Sequence, residues 1–272
     1  MLIDSHAHIF YEDYKDDLQT VVQRALDAGI EAIVVPGTTL QTSREAIELA
    51  EKFSFVYAAT GIHPHEASSM SDTAIAELES LSTHPRVVAI GEIGLDFHYD
   101  FSPRDVQLRV FKQQIELAIR KDLPIIVHTR ESIPESIAMV KQMSEANSGW
   151  RKHLEQASAI PVIPRGVFHC FTGSAGDVAM LNSSGFYCSY PGIVTFKNSP
   201  VAATLRATGF ERILLETDSP YLTPVPYRGQ RNEPAYVKLV AEKLAEMFSV
   251  PLEKIAQTTS ANARRLFNLN IQ

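Results

Sequence analysis

The sequence predicts an α/β chain of the distorted TIM (β/α)8 barrel type, a single domain over residues 1–272. Three observations predict it. Eight short apolar runs alternate with amphipathic segments, and their mean spacing of about 34 residues matches one βα repeat. Six side chains of metal-ligand type, His6, His8, Glu92, His128, His169 and Asp218, stand where such runs end. They span almost the whole chain, so only a fold that gathers distant strand ends uses them together, and a closed parallel barrel brings every C-terminal strand end to one rim.

The elements follow in order. Leu2-Ile3-Asp4 reads as a strand that leads into Ser5-His6-Ala7-His8. Alternate residues of an extended chain point the same way, so both imidazoles can face one point; taken alone, the pair reads equally well as two solvated histidines. A helix is expected over 17–28, stopped by Gly29, then a strand over 32–36, a helix over 43–53 and a strand over 55–60. The strand at 87–91 runs straight into Glu92, and a helix is expected over 103–121. The strand at 124–127 runs into His128, and the strand at 167–168 into His169. A helix over 175–184, stopped by Gly185, a strand over 186–189 and a strand over 213–216, close before Asp218, complete the series. Near-continuous apolar runs read as parallel strands buried on both faces, and packing does not explain a polar residue capping each of them. Residues 144–165, with Gly149, Trp150, Pro161 and Pro164, are the irregular region and are expected to form a surface extension.

With 45% hydrophobic and 21% charged residues the chain can bury a large core. A net charge of −7 excludes a generally basic, duplex-coating protein, because sequence-independent affinity for nucleic acid rests on lysine and arginine neutralising phosphates. A nuclease stays open, since bound metals can supply local positive charge. The first residues hold neither a basic region nor a long apolar stretch, so the expectation is no secretory signal, no membrane span and a cytoplasmic location. Cys170 and Cys188 read as buried thiols, Cys170 facing the helix layer.

Four imidazoles and two carboxylates suit Zn, Mn or Mg, and they exceed the three or four protein ligands that one zinc takes. One or two divalent ions per chain are expected, two being the economical reading with Glu92 as the bridge. Six side chains cannot fill two coordination shells, so positions remain for water and substrate, as in catalytic sites. Asp218 and Glu92 are the catalytic candidates, Asp218 as the base toward a metal-activated water. Substrate-binding candidates are His63 and His65, which repeat the i, i+2 arrangement after the third strand, Arg130, two residues beyond His128, and Arg228 and Arg231 in the loop after Asp218. Each arginine could hold a phosphate in bidentate fashion, or pair with a neighbouring carboxylate. His153, in a charged stretch, competes with His169 for the place on the sixth strand and reads as solvated, as do His84 and His98.

Ser5-His6-Ala7-His8, Gly61-Ile62-His63-Pro64-His65, Gly91-Glu92-Ile93-Gly94-Leu95-Asp96, His128-Thr129-Arg130, His169-Cys170-Phe171-Thr172-Gly173 and Glu216-Thr217-Asp218-Ser219-Pro220-Tyr221-Leu222 together resemble the TatD family of metal-dependent deoxyribonucleases. The motifs stand in the family's order from Leu2 to Asn262-Ala263-Arg264-Arg265-Leu266-Phe267. The resemblance implies a distorted barrel of the amidohydrolase-like superfamily and hydrolysis of DNA phosphodiester bonds, often as a 3′–5′ exonuclease. It carries the same six residues over as ligands, with Glu92 where the wider superfamily can use a carbamylated lysine. The expected partner is DNA, single-stranded or with frayed ends preferred; no membrane and no obligate protein partner is implied. Two rivals stand beside this reading. An amidohydrolase acting on a small amide, lactone or ester would use the same centre, and a non-catalytic metal-binding protein would need a closed coordination shell.

Overall fold

Eight apolar runs become eight strands in the computed structural model, which describes residues 1–152, 154 and 162–269. They are β1 (Leu2–Asp4), β2 (Ile30–Pro36), β3 (Val56–Thr60), β4 (Val87–Asp96), β5 (Ile125–Arg130), β6 (Gly166–Phe168), β7 (Phe186–Tyr190) and β8 (Ile213–Leu215). Every neighbouring pair is parallel and the spatial order is the sequence order. The helices α1 (Leu18–Asp27), α2 (Leu40–Lys52), α3 (Asp72–Leu81), α4 (Arg104–Lys121), α5 (Ile133–Ala146), α6 (Ala175–Ser183) and α7 (Ala202–Thr208) each return the chain to the start of the next strand, and α8 (Val237–Phe248) and α9 (Leu252–Phe267) follow β8. The repeat is therefore βα throughout. Among the described residues no helix is long and apolar enough to cross a membrane.

Alternation along the strands splits the core in two. Ile33 and Val35 of β2 join the large layer under the helices, while Ala32 and Val34 join Ile3, Tyr57, Val88, Ile126, Val167, Tyr187 and Leu214 inside the barrel. Several of these inward residues lie near the starts of their strands, and Leu266 and Phe267 of α9 pack among them. The C-terminal helix thus plugs the end of the barrel opposite the mouth.

The seam between β8 and β1 closes just beyond the regular strands. The Ser5 N–H donates to the Leu215 carbonyl (2.9 Å), the Asp218 N–H to the His6 carbonyl (2.9 Å) and the His8 N–H to the Ser219 carbonyl (2.8 Å). Buried Asp4 clasps the same seam: its carboxylate accepts from the Thr217 N–H (2.9 Å) and the Thr217 hydroxyl (2.6 Å).

Three expectations need correction. Glu92 and His128 do not follow their strands but lie inside them, because β4 and β5 run on to Asp96 and Arg130. Between Ile90 and Ile93 the pairing of β4 with β5 shifts register, three steps on β4 against two on β5, and Glu92 occupies that bulge. A bulge re-aims a side chain, which an apolar run cannot reveal in advance. The region 144–165 is not a surface extension in its described part. Trp150 is buried with its indole N–H on the Leu123 carbonyl (2.9 Å), and the buried Arg151 guanidinium donates to the Pro164 (3.0 Å) and Leu266 (2.5 Å) carbonyls. Buried carbonyls at the barrel floor need donors, and this arginine supplies them. His153 lies outside the described residues. Finally, Cys170 packs against the layer under the helices as expected but is only half-buried, in a turn where its φ is 46°, while Cys188 is buried.

Gly94 offers a test of the β4–β5 junction. Its φ is +144°, and a Cβ there would collide with the His128 carbonyl oxygen of β5. Backbone collision plus a disfavoured φ should make Gly94→Ala cost at least about 2 kcal/mol, read as a lower urea midpoint together with loss of bound metal through displaced His128.

Candidate metal centre

The barrel mouth gathers every one of the six sequence-predicted ligands. Glu92, buried in its bulge, lies at the middle: its carboxylate oxygens are 2.8 Å from His169 Nε2, 2.9 Å from His128 Nδ1, 3.4 Å from His6 Nε2 and 3.5 Å from His8 Nε2. A fifth imidazole, His63, brings Nε2 to 3.4 Å. Asp218 Oδ1 stands 3.8 Å from both His6 and His8 Nε2. His6 and His169 stack at 4.0 Å between centroids. Asp218 (φ 54°) and Cys170 (φ 46°) hold left-handed backbone conformations that side-chain-bearing residues seldom take, and such residues concentrate at functional sites.

Protons alone satisfy this cluster poorly. The Nε2 atoms of His6 and His8 face each other at 3.0 Å, a contact that needs either a proton on one of them or a cation accepting both lone pairs. Three donor groups, His6–His169–Asp218, His6–His8–Glu92 and His63–Glu92–His128, each hold their ligand atoms within 4.8 Å of one another. Nitrogen and carboxylate donors converging in a buried place fit divalent ions such as Zn, Mn or Mg. Glu92 belongs to two of the three groups and is the natural shared ligand.

Charge is distributed unevenly among these groups. Burial would raise Glu92, but the charges of His169 and His63 and hydrogen bonds from His128 and His169 hold it well below the usual carboxylate range. Burial likewise opposes charge on His169, yet Glu92 outweighs it and raises the imidazole to about 9. His128 is raised by Asp96 and Glu92 against the same penalty. His6 is pushed well below its ordinary value by burial and by the charge on His169, and burial lowers His8 and His63 to about 4. Asp218 is pushed up to about 7, chiefly by burial, with Glu216 and Glu92 adding to it.

Sequence reasoning missed two carboxylates. Asp96 Oδ2 takes His65 Nε2 (2.8 Å) and His128 Nε2 (3.2 Å), so His128 is held between Glu92 and Asp96. Glu216 accepts from the Cys170 N–H (2.6 Å) and the Ser189 hydroxyl (2.5 Å), fixing the turn that carries His169. The signal was present in both cases: Asp96 follows Glu92 by four residues and Glu216 precedes Asp218 by two, spacings that keep side chains on one side of an extended chain.

A cavity of about 590 Å³ opens above the cluster, lined by His63, His65, Arg130, Glu92, His128 and Asp218 among others. Arg228 and Arg231 are not in its wall. Arg231 donates to both Asp17 oxygens (2.9 and 2.7 Å) and to the Asp13 carbonyl, and Arg228 lies over the Phe196 ring at 3.7 Å. For Arg231 the carboxylate partner is the one realised, because the loop turns toward the start of α1. His63 sits with the metal-type donors rather than out on the wall alone. His84 pairs with Glu51 (3.2 Å) and His98 with Glu131 (2.7 Å), both outside the cavity lining.

Residues 3–268 match the family model described as TatD related DNase. The chain is 43% identical over 271 residues to the metal-dependent hydrolase YabD of Bacillus subtilis, covering 99% of this chain and 100% of that protein. It is 33% identical over 275 residues to the 3′-5′ ssDNA/RNA exonuclease TatD of Edwardsiella piscicida, covering 98% and 100%. Among solved structures, the TatD homologue YjjV of Escherichia coli superposes with a TM-score of 0.87 at 29% identity, covering 98% of each chain.

Two outcomes are expected. His128→Ala, His169→Ala and Asp218→Asn should each lower the metal retained after dialysis, measured by elemental analysis, while Arg231→Gln retains the wild-type content; equal content in all four would remove these side chains from the site. Because His169 is raised to about 9, it carries a proton at neutral pH that an incoming ion must displace. Metal affinity should therefore climb as pH rises from neutrality toward 9, with at least one proton released per chain at pH 7, which calorimetry in buffers of different ionisation enthalpy measures.

Proposed function

The chain belongs to the TatD-related DNase family and is a metal-dependent nuclease, and on that premise we propose that it trims single-stranded DNA, and RNA, from a free 3′ end. The observation that carries this reading is a buried carboxylate ringed by five imidazoles at the floor of an open cavity whose wall holds an arginine. His6, His8, Glu92, His128, His169 and Asp218 would hold the ions, with His63 beside Glu92 and His128. When bound, divalent ions act as Lewis acids toward phosphoryl oxygens and lower the pKa of water.

The chain's own groups do the rest. Asp218, whose Oδ1 stands 3.8 Å from the His6 and His8 Nε2 atoms in the cavity wall, is the carboxylate placed to take the proton of the attacking water. Arg130 offers a planar fork of N–H donors to a phosphate oxygen pair. His65 lines the same wall with its Nε2 on Asp96, and so steadies His128 from the substrate side. Burial of His6 and His8 keeps water from competing for their lone pairs.

Strand preference follows from charge. The chain carries a net −7, and among the described residues one arginine and no lysine line the cavity. Grip on a duplex backbone requires many phosphate contacts, whereas a few contacts at the centre suffice for an end, single-stranded or frayed. Two free thiols, Cys170 and Cys188, suit a reducing compartment, and the cytoplasm is where we place the activity.

End-labelled oligonucleotides test the proposal. Chelation should abolish cleavage and Asp218→Asn should reduce it by at least about 100-fold. Single strands should be shortened from the 3′ end with a shallow salt dependence, a blocked 3′ terminus should protect, and covalently closed duplex circles should survive. Rapid cutting of such circles would overturn the end-trimming reading.

A further inference from the structure

Three aromatic side chains stand exposed around the mouth. Tyr99 and Phe101, on the loop after β4, are 39% and 64% exposed, and Tyr221, on the loop after β8, is 54% exposed. An eight-stranded barrel in sequence order places β4 and β8 on opposite sides, so the two aromatic flanks face each other across the cavity. Tyr99 and Tyr221 both line it, together with Glu92 and Asp218.

Each flank is braced from behind. Tyr221 meets the edge of Tyr11 at 6.2 Å, and Tyr11 stacks on His8 at 5.2 Å, a row that leads from the donor cluster outward. On the other side Tyr99 lies 5.2 Å from Phe101, with the Arg130 guanidinium 4.8 Å from the Tyr99 ring and His65 4.8 Å from the Phe101 ring. Rings already fixed by neighbours lose little freedom when a flat partner settles on their open faces.

We propose that these flanks are nucleobase-stacking subsites, Tyr221 on one side of the scissile phosphate and Tyr99 with Phe101 on the other, and that stacking rather than phosphate contact supplies most of the grip on the strand. The inference rests on the nuclease reading and adds to it what the chain binds beyond the reacting bond. A mouth with one arginine cannot draw much affinity from phosphates, whereas every base has a π-face to offer, so stacking binds without regard to sequence. Paired bases in a duplex already spend both faces on their neighbours and must be unstacked first. Selection of unpaired strands then follows from the aromatic flanks themselves, as well as from the single arginine that lines the mouth among the described residues.

The test uses the metal-loaded protein and short single-stranded DNA carrying 2-aminopurine near its 3′ end. Tyr221→Leu and the double variant Tyr99→Leu/Phe101→Leu keep apolar bulk but remove the π-face; each should raise KM about tenfold, with a smaller change in kcat, and Tyr221→Trp should restore it. Binding to the wild type should quench 2-aminopurine, and the leucine variants should lose that quench. Removing the base that meets the missing ring should cost the wild type the same factor and cost the matching variant nothing further. Wild-type KM and undiminished quench in both leucine variants would overturn the stacking assignment while leaving the nuclease intact. An equal loss on base-containing and abasic strands would also overturn it, as a general disturbance of the mouth. If the wild type neither binds nor cleaves any oligonucleotide, this inference falls together with the functional reading.

Discussion

A parallel barrel has to close its first strand on its last, and in this chain the closure is made by a handful of hydrogen bonds at the mouth. Ser5, His6 and His8 bond there to Leu215, Asp218 and Ser219, and Asp4 holds Thr217 from the side. The backbone that carries two imidazoles and a carboxylate of the donor cluster is therefore the same backbone that joins the two edges of the sheet. Register at the seam and geometry at the centre are one constraint. A slip of one residue would turn His6 and His8 away from Glu92, since successive side chains of an extended chain point to opposite faces.

Glu92 is the complementary half of that arrangement. A carboxylate buried this deeply is costly unless opposite charge lies close, and the protein meets the demand with imidazoles from β1, β3, β5 and β6 converging on one group. Without ions the protonated His169 balances it, and the converging nitrogens are the donors a divalent ion would need. The bulge in β4 belongs to the same economy of space, aiming Glu92 inward while Ile90 and Ile93 remain in the apolar layer under the helices. Function here is carried by irregularities, a bulge, two left-handed residues and a distorted seam, set in a regular scaffold.

Much of this was legible beforehand. Buried parallel strands must be apolar on both faces, so all eight announced themselves as runs, and the six ligand-type side chains were conspicuous because polar groups at the ends of such runs have no packing reason to be there. What stayed hidden depended on where other segments go. No local pattern says that Arg231 will meet Asp17, more than two hundred residues earlier in the chain, or that Arg151 will reach carbonyls of Pro164 and Leu266 beneath the barrel. Asp96 escaped notice because period-two spacing from Glu92 was applied to histidine pairs and not to carboxylates. Cys170 is less buried than its position after an apolar run suggests because it lies two residues past the end of β6, in a turn.

The seam also sets a timetable for synthesis. A ribosome that has delivered the chain as far as α5 has supplied His6, His8, Glu92 and His128, yet β1 has no partner for its free edge and neither His169 nor Asp218 exists. Contacts between residues this far apart in sequence form late and slowly. The donor cluster is consequently assembled only after the eighth strand has emerged, so a nascent or prematurely terminated chain carries most of its ligand-type side chains without the cluster itself.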